Sequence, residues 1–202
     1  SKQNYDAAIP LLERLEQEAY EVENSAFAQS NLMKSYYNKN AHEKALAFAK
    51  KVLSKIGIDA SLELDAKTII ARSSFKISDF ETSKEYYQTI DKKAVGELKA
   101  EILYYESYFQ NQEKAYEKSN EIVKKLIAEY ASYKYWGVRS YVIMGKNYYG
   151  LNDAYQATFI LENVIKNFKQ YEDVVKEAQI ELTKIKETEA KTNNSINPQI
   201  KN

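Results

Sequence analysis

Residues 144–157 read MGKNYYGLNDAYQA, and this stretch decides the fold. Its Gly-Lys pair at 145–146 invites comparison with a phosphate-binding loop, which has the pattern G-x-x-x-x-G-K-[ST] between a strand and a helix. A serine stands where the first glycine of that pattern belongs, and Asn147 stands where its Ser or Thr belongs. We therefore interpret the stretch as the bend between two packed helices, with Asn152 and Asp153 capping the second helix.

The rest of the chain repeats the spacing found around this bend. A small residue recurs at intervals of 36 to 38 residues, at Ala8, Ala45, Ser83, Ser119 and Ala157. Twelve residues upstream of the last four lie Met33, Ala71, Ser107 and Gly145. The positions four and seven residues downstream of each small residue are all apolar or aromatic. This pattern predicts pairs of closely packed helices whose apolar stripes need a neighbouring unit for burial.

The repeated pattern resembles the tetratricopeptide repeat, a helix-turn-helix unit of about 34 residues with the signature W-x2-L-G-x2-Y…A-x3-F. The units that carry the resemblance best read Leu32-Met33-x-x-Tyr36…Ala45-x-x-x-Ala49 and Met144-Gly145-x-x-Tyr148…Ala157-x-x-x-Leu161. The chain departs from the family in its longer spacing and in lacking the proline that closes each repeat. The resemblance implies an all-α fold, a right-handed α-α superhelix (TPR solenoid) of helix-turn-helix repeats with a C-terminal capping helix.

The resemblance also sets the expected boundaries. A single domain is expected over residues 1–187, followed by a disordered polar tail over 188–202. The domain is expected to contain a half repeat at 4–18, full repeats at about 26–56, 64–94, 100–130 and 138–168, and a capping helix at 173–187. Because the chain opens on the second helix of a repeat, we expect it to be the C-terminal piece of a longer array.

The composition argues against several kinds of chemistry. The 202 residues include 29 Lys+Arg, 29 Asp+Glu, one histidine and no cysteine, so thiol catalysis and Cys-based zinc sites are excluded. The lone His42 is read as a packing residue near a helix start, and no carboxylate pair lies in an apolar surround that would raise its pKa. We therefore predict no catalytic residue, no metal and no cofactor. The chain also lacks an apolar run long enough to span a membrane.

A binding surface is implied by the resemblance, since the first helices of tetratricopeptide arrays line a concave groove. The matching positions supply ten candidate partner-binding residues: Phe27, Lys34, Tyr37, Arg72, Phe75, Tyr104, Tyr108, Arg139, Lys146 and Tyr149. The same mapping selects Ser30, Asp65, Thr68, Glu101, Asn111 and Val142. This set, with Lys76 just beyond it, is aromatic and mildly basic, which suits a peptide or helix with some negative charge. The alternative is that these side chains only pack or solvate.

The expected function is therefore a non-catalytic protein-protein interaction scaffold. Two alternatives stay open: a structural spacer or oligomerisation arm, and the recognition arm of an enzyme whose catalytic domain lies upstream. The balanced charge disfavours nucleic acid, although aromatics interleaved with cations also bind single strands. Residues 32–53, 100–109 and 147–168 are similar to large envelope-associated tetratricopeptide proteins of Gram-negative bacteria, of the Tol-Pal-associated and outer-membrane-assembly types. That similarity implies a periplasmic or outer-membrane-associated protein, with the cytoplasm as the alternative location.

Overall fold

The computed structural model describes residues 4–196, which form ten α-helices and no β-strand. The prediction of an all-α fold is confirmed. The chain divides into two compact units, Ser1–Lys93 and Ala94–Asn202, where the sequence predicts one domain over 1–187. Five of the helices belong to each unit.

Within each unit, every helix packs against the next one along the chain. The first unit contains α1 (Tyr5–Glu18), α2 (Val22–Asn38), α3 (His42–Leu53), α4 (Ala60–Lys76) and α5 (Phe80–Asp91). The second contains α6 (Gly96–Gln112), α7 (Tyr116–Glu129), α8 (Lys134–Gly150), α9 (Ala154–Asn167) and α10 (Glu172–Ile196). Alternate helices also touch, with α2 against α4, α6 against α8, and α8 against α10. The first helices of the repeats therefore lie side by side within each unit.

The first helices, α2, α4, α6 and α8, are each 17 residues long. They begin at residues 22, 60, 96 and 134, four residues before the starts predicted from the repeat pattern. Four residues are about one α-helical turn. The first helices are therefore about one turn longer at their N-terminal ends than the repeat pattern predicts.

Each first helix ends in the same kind of bend. A non-glycine residue with positive φ follows the helix in all four cases, at Asn40 (58°), Ser78 (65°), Lys114 (61°) and Asn152 (63°). In the last bend, the Asn152 N–H donates to the Tyr149 carbonyl (3.0 Å) and the Asp153 N–H donates to the Tyr148 carbonyl (2.9 Å). Asp153 Oδ1 then accepts from the Gln156 N–H at 2.9 Å, so Asp153 caps α9 as predicted.

The close approach predicted at Gly145 is present between α8 and α9. A Cβ atom on Gly145 would lie 2.9 Å from Leu161 Cγ, and Ala157 on the facing helix is fully buried. The apolar positions downstream of the small residues are buried in all four full repeats, at Ala49, Val52, Tyr87, Ile90, Val123, Leu126, Leu161 and Val164. This stripe forms much of the core of each unit.

Two repeats carry serine at the position occupied by alanine elsewhere. The Ser83 hydroxyl donates to the Ala71 carbonyl at 2.9 Å, and the Ser119 hydroxyl donates to the Ser107 carbonyl at 2.7 Å. Both bonds span the predicted interval of twelve residues, and both serines are fully buried. The hydroxyl is satisfied by the facing helix, so serine fits a buried contact that otherwise takes a methyl group.

The last helix differs from the prediction at its C-terminus. We predict a capping helix over 173–187 and a disordered tail over 188–202, whereas α10 continues to Ile196. No glycine or proline interrupts residues 188–196, which include the good helix formers Glu, Ala and Lys. Residues 197–202 lie outside the described part of the chain. The first part of α10 buries Val174 and Ala178, as a capping helix requires.

Candidate functional site

The candidate residues of the first unit meet in one place, which we call the α2–α4 face. An open depression of about 330 Å³ is lined there by five residues that the sequence mapping selects: Lys34, Tyr37, Asp65, Thr68 and Arg72. Asn38 and Ile69 complete the lining. The α2–α4 face, defined by these seven residues, brings together side chains separated by up to 38 positions in sequence.

Charge on the α2–α4 face is mainly positive. Lys34 Nζ lies 2.7 Å from Asp65 Oδ2, and both side chains are about half exposed. The Arg72 guanidinium lies 6.0 Å from the centroid of the Tyr37 ring, and Lys76 is exposed at the end of α4. An exposed ion pair contributes only about 0–1 kcal/mol to stability. The contact between Lys34 and Asp65 can therefore break at little cost when Lys34 binds a carboxylate of a ligand.

A buried hydroxyl also lines the depression. Thr68 is only 7% exposed, and its Oγ1 has no hydrogen-bond partner among the described residues. Leaving such a group unsatisfied costs about 1–3 kcal/mol. The Oγ1 atom has almost no accessible surface, so Thr68 lines the depression without offering its hydroxyl to a ligand.

The aromatic candidates at the edges of this face are arranged differently from each other. Phe27 is 59% exposed on α2, where its ring is available to a partner. Phe75 instead packs edge-on against Phe80, with ring centroids 5.3 Å apart. Phe27 therefore fits the predicted role of an exposed anchor better than Phe75.

In the second unit, Tyr104 is not at the surface. It is 2% exposed and is covered by Trp136, whose ring centroid lies 5.5 Å away, and by the Arg139 guanidinium at 4.9 Å. Burial raises the pKa of the Tyr104 phenol. Glu101 and Val142, selected by the same mapping, are also buried. The prediction that these residues line an open groove is wrong, because α6 and α8 pack side by side and cover them.

The cations predicted on α8 are engaged by carboxylates of α10. Lys146 Nζ lies 3.2 Å from Glu177 Oε1 and 3.7 Å from Glu181 Oε1. Arg139 Nη2 lies 4.0 Å from Glu177 Oε2, and the Tyr149 hydroxyl donates to Glu189 Oε1 at 3.2 Å. The expected basic character is therefore wrong for this surface. The sequence contained a signal for it, since the three glutamates repeat at intervals of four or eight residues on one helix.

Part of the predicted surface in the second unit nevertheless remains accessible. Lys146 and Tyr149 line an open depression of about 340 Å³ together with Asn111 and Ile185. Tyr108 is half-buried, and burial raises the pKa of its phenol. The Tyr149 phenol also has a raised pKa, first from burial and then from its hydrogen bond to Glu189.

Sequence reasoning missed a buried polar cluster beneath this surface. Asn147 is fully buried, and its Nδ2 donates to Ser119 Oγ and to Asn120 Oδ1, both at 2.8 Å. Its Oδ1 accepts from Asn111 Nδ2, also at 2.8 Å. The sequence signal for this cluster is weak. Asn147 follows the apolar residues Ile143 and Met144 at helical spacing, which places its amide on the buried face of α8. The Asn147 cluster joins α6, α7 and α8 with every amide atom of Asn147 satisfied.

The described residues show a packing role for His42 and no cluster suited to a metal. His42 begins α3, with its ring centroid 5.9 Å from that of Tyr37 in an edge contact, and burial followed by the charge of Lys76 lowers its pKa. Over residues 4–196, no group of three or more His, Cys, Asp or Glu side chains could hold a metal ion. Within the same span, every helix is too short or too polar to cross a membrane. No protein-family model matches the chain, and no curated protein matches its sequence.

Proposed function

We propose that this chain is a tetratricopeptide-type helical solenoid that acts as a non-catalytic scaffold and binds an acidic peptide or helix on its α2–α4 face. The observation that carries the proposal is that five residues chosen by one sequence mapping, on two different helices, line a single depression.

The chemistry of the face suits a peptide that combines an apolar anchor with carboxylates. Phe27 offers an exposed ring, and Tyr37 offers a ring with a hydroxyl, which are common anchors in protein interfaces. Lys34 and Arg72 line the depression together with one carboxylate, that of Asp65, and Lys76 is exposed at the end of α4. Arg and Lys recognise carboxylates through charge-assisted hydrogen bonds, so a negatively charged segment is the partner that complements this face.

The surface of α6 and α8 is a weaker candidate for the same partner. Its cations already face Glu177 and Glu181, and Tyr104 is buried. A bound acidic segment would have to compete with carboxylates that belong to the chain itself. The proposal therefore assigns the acidic partner to the first unit.

The experiment is a selection of peptides displayed on phage against the wild-type chain, followed by affinity measurements on the double variant Tyr37→Ala/Arg72→Glu. Acidic peptides should be enriched, and the double variant should bind them at least about tenfold more weakly. The matched control, Tyr155→Ala/Lys166→Glu, removes one tyrosine and reverses one cation on the exposed side of α9. Unchanged affinity in the first double variant, or an equal loss in both, would contradict the proposal.

One observation favours the alternative of an oligomerisation arm. Tyr155 and Phe159 on α9 are 75% and 55% exposed, and their rings stack with centroids 6.5 Å apart. Light scattering on the wild type and on Tyr155→Ala tests it, because a stable dimer lost in the variant would support self-association through α9. The periplasmic or outer-membrane-associated location, and a catalytic domain upstream, also stay proposals that rest on the family resemblance.

A further inference from the structure

The second unit contains a pocket that belongs to neither of the surfaces described above. It is a half-open pocket of about 300 Å³ between the end of α7, the first turns of α8 and the bend that joins α9 to α10. Its apolar walls are formed by Ile127, Tyr130, Val138, Tyr141, Phe168 and Tyr171. We call it the Gly137 pocket, after the glycine that also lines it.

Gly137 lies within α8, where glycine weakens a helix relative to alanine. A Cβ atom added there would meet only Leu126 Cδ2, at 3.9 Å, which is an ordinary contact. The other two glycines of α8 differ, since a Cβ on Gly145 would press on Leu161 and a Cβ on Gly150 would overlap the Tyr116 ring. Packing therefore explains Gly145 and Gly150 but not Gly137. Gly137 nevertheless lines the pocket, so a long side chain at this position would compete with a ligand for its space.

The lining determines what the pocket would accept. Tyr141 and Phe168 stack with ring centroids 6.4 Å apart and an interplanar angle of 24°, which gives the pocket flat aromatic walls. Another ring packs well against such walls in offset or edge-on geometry. Tyr130, Tyr141 and Tyr171 line the pocket, and a tyrosine hydroxyl can hydrogen-bond to a polar group of a ligand.

Charge adds a second requirement. Lys134 is the one charged residue in the lining, and it is exposed with no ion-pair partner in the part of the chain that the structure describes. A ligand that fills the apolar walls and ends near Lys134 would be stabilised by a negative group there. The volume of about 300 Å³ is at the lower end of ligand pockets, which span roughly 300–1,000 Å³, and it suits one ring with a short acidic arm.

We propose that the Gly137 pocket binds an aromatic ring that carries a carboxylate or lies beside one. The ring would come either from a free aromatic acid or from an aromatic side chain flanked by acidic residues in a peptide. This inference does not rest on the proposed function of the α2–α4 face, because the two sites share no residue.

The test measures binding of two acidic probes by titration calorimetry: 3-phenylpropionate, and the peptide acetyl-Asp-Phe-Asp-amide. The matched controls carry the opposite charge on the same ring: 3-phenylpropylamine, and acetyl-Lys-Phe-Lys-amide. At least one acidic probe should bind at least about tenfold more tightly than its cationic counterpart. Binding of the first probe alone identifies the free acid as the source, and binding of the second alone identifies the peptide.

Two variants connect the binding to the pocket. Gly137→Leu should abolish binding while the thermal midpoint of unfolding stays unchanged or rises, because the added side chain fills open space. Lys134→Gln should remove the preference for the acidic probe, whereas Lys124→Gln on the exposed side of α7 should not. The inference is overturned if neither acidic probe binds at millimolar concentration. It is also overturned if Gly137→Leu retains full affinity and full preference for the acidic probe. If Gly137→Leu does not fold, the double variant Gly137→Ala/Lys134→Gln takes its place in this test. Repeated in the Tyr37→Ala/Arg72→Glu background, where the α2–α4 face is disabled, the same loss on Gly137→Leu and the same preference for the acidic probe should be seen, so failure of one proposal is distinguishable from failure of the other.

Discussion

Replacing Asn147 by alanine should strongly destabilise the second unit. The side chain is fully buried, and it makes three hydrogen bonds of 2.8 Å to residues on α6 and α7. In the variant, Asn111 Nδ2 and Asn120 Oδ1 lose their partner, although Ser119 still donates to the Ser107 carbonyl. Each buried group left without a partner costs about 1–3 kcal/mol. The two groups together give an expected loss of about 3–4 kcal/mol, since both residues are slightly exposed and can partly relax.

Urea unfolding followed by tryptophan fluorescence is the assay. The chain has one tryptophan, Trp136, on α8, and its ring packs against Tyr104 and Tyr105 with centroids 5.5 and 6.1 Å away. Its emission therefore reports the packing of the second unit. With a urea dependence of about 1–3 kcal/mol per molar for small domains, the midpoint should fall by about 1–4 M.

Two further variants separate the causes. Asn167→Ala removes an exposed amide at the end of α9 and should change the free energy of unfolding by less than about 0.5 kcal/mol. Asn147→Leu keeps the number and branching of the side-chain heavy atoms, with a somewhat larger volume, but removes the hydrogen bonds. If Asn147→Leu unfolded at the wild-type urea concentration, the reasoning about polar satisfaction would be refuted, and the loss in Asn147→Ala would reflect only the cavity.

Two other predictions concern the bends and the ion pairs. Lys114→Gly should raise the free energy of unfolding by about 0.5–1 kcal/mol, because Lys114 has a φ of 61° that glycine adopts without strain. The control Lys124→Gly lies in the middle of α7 and should lower the free energy of unfolding by about 1 kcal/mol in the same urea titration. Hydrogen bonds from Lys51 and Gln29 lower the pKa of Glu16 in the folded chain. Ionised Glu16 therefore stabilises the fold at pH values above its unfolded-state pKa, and this stabilisation is lost as the pH falls through its folded-state pKa. Glu16→Gln should therefore destabilise the chain at pH 7 by roughly 0.5–1 kcal/mol and by less at about pH 3, and an equal effect at both pH values would contradict this.

The repeat itself was predictable because its signals are local. The contact between Gly145 and Leu161, and the bonds from Ser83 and Ser119 to carbonyls twelve residues upstream, join helices that share one short bend. A bend of fixed length sets the relative height of the two helices, so regular spacing in the sequence becomes regular contact in the structure. Five residues chosen by the same reasoning line one depression on the α2–α4 face, and their binding role stays a prediction.

The charge and exposure of the second surface were not predictable in the same way. Glu177 and Glu181 meet Lys146 from a helix more than 30 residues away, and Trp136 covers Tyr104 from the neighbouring repeat. Such contacts depend on the rotation of one helix against another, which a repeat pattern does not specify. The predicted tail begins at residue 188, whereas α10 continues to Ile196. The polar composition of residues 188–196 is compatible with both an exposed helix and a disordered segment, so it could not distinguish them.

The extra turn at the start of each first helix limits how repeats can be exchanged by design. One turn lengthens a helix by about 5.4 Å, so a family-standard repeat grafted between α6 and α8 would leave a step of that height on either side. Side chains on the added turn would lose their lateral neighbours at the step. A chimera of this protein should therefore be joined within the bends after residues 112 and 150, where the four repeats share one backbone geometry, and should keep the 17-residue first helix intact.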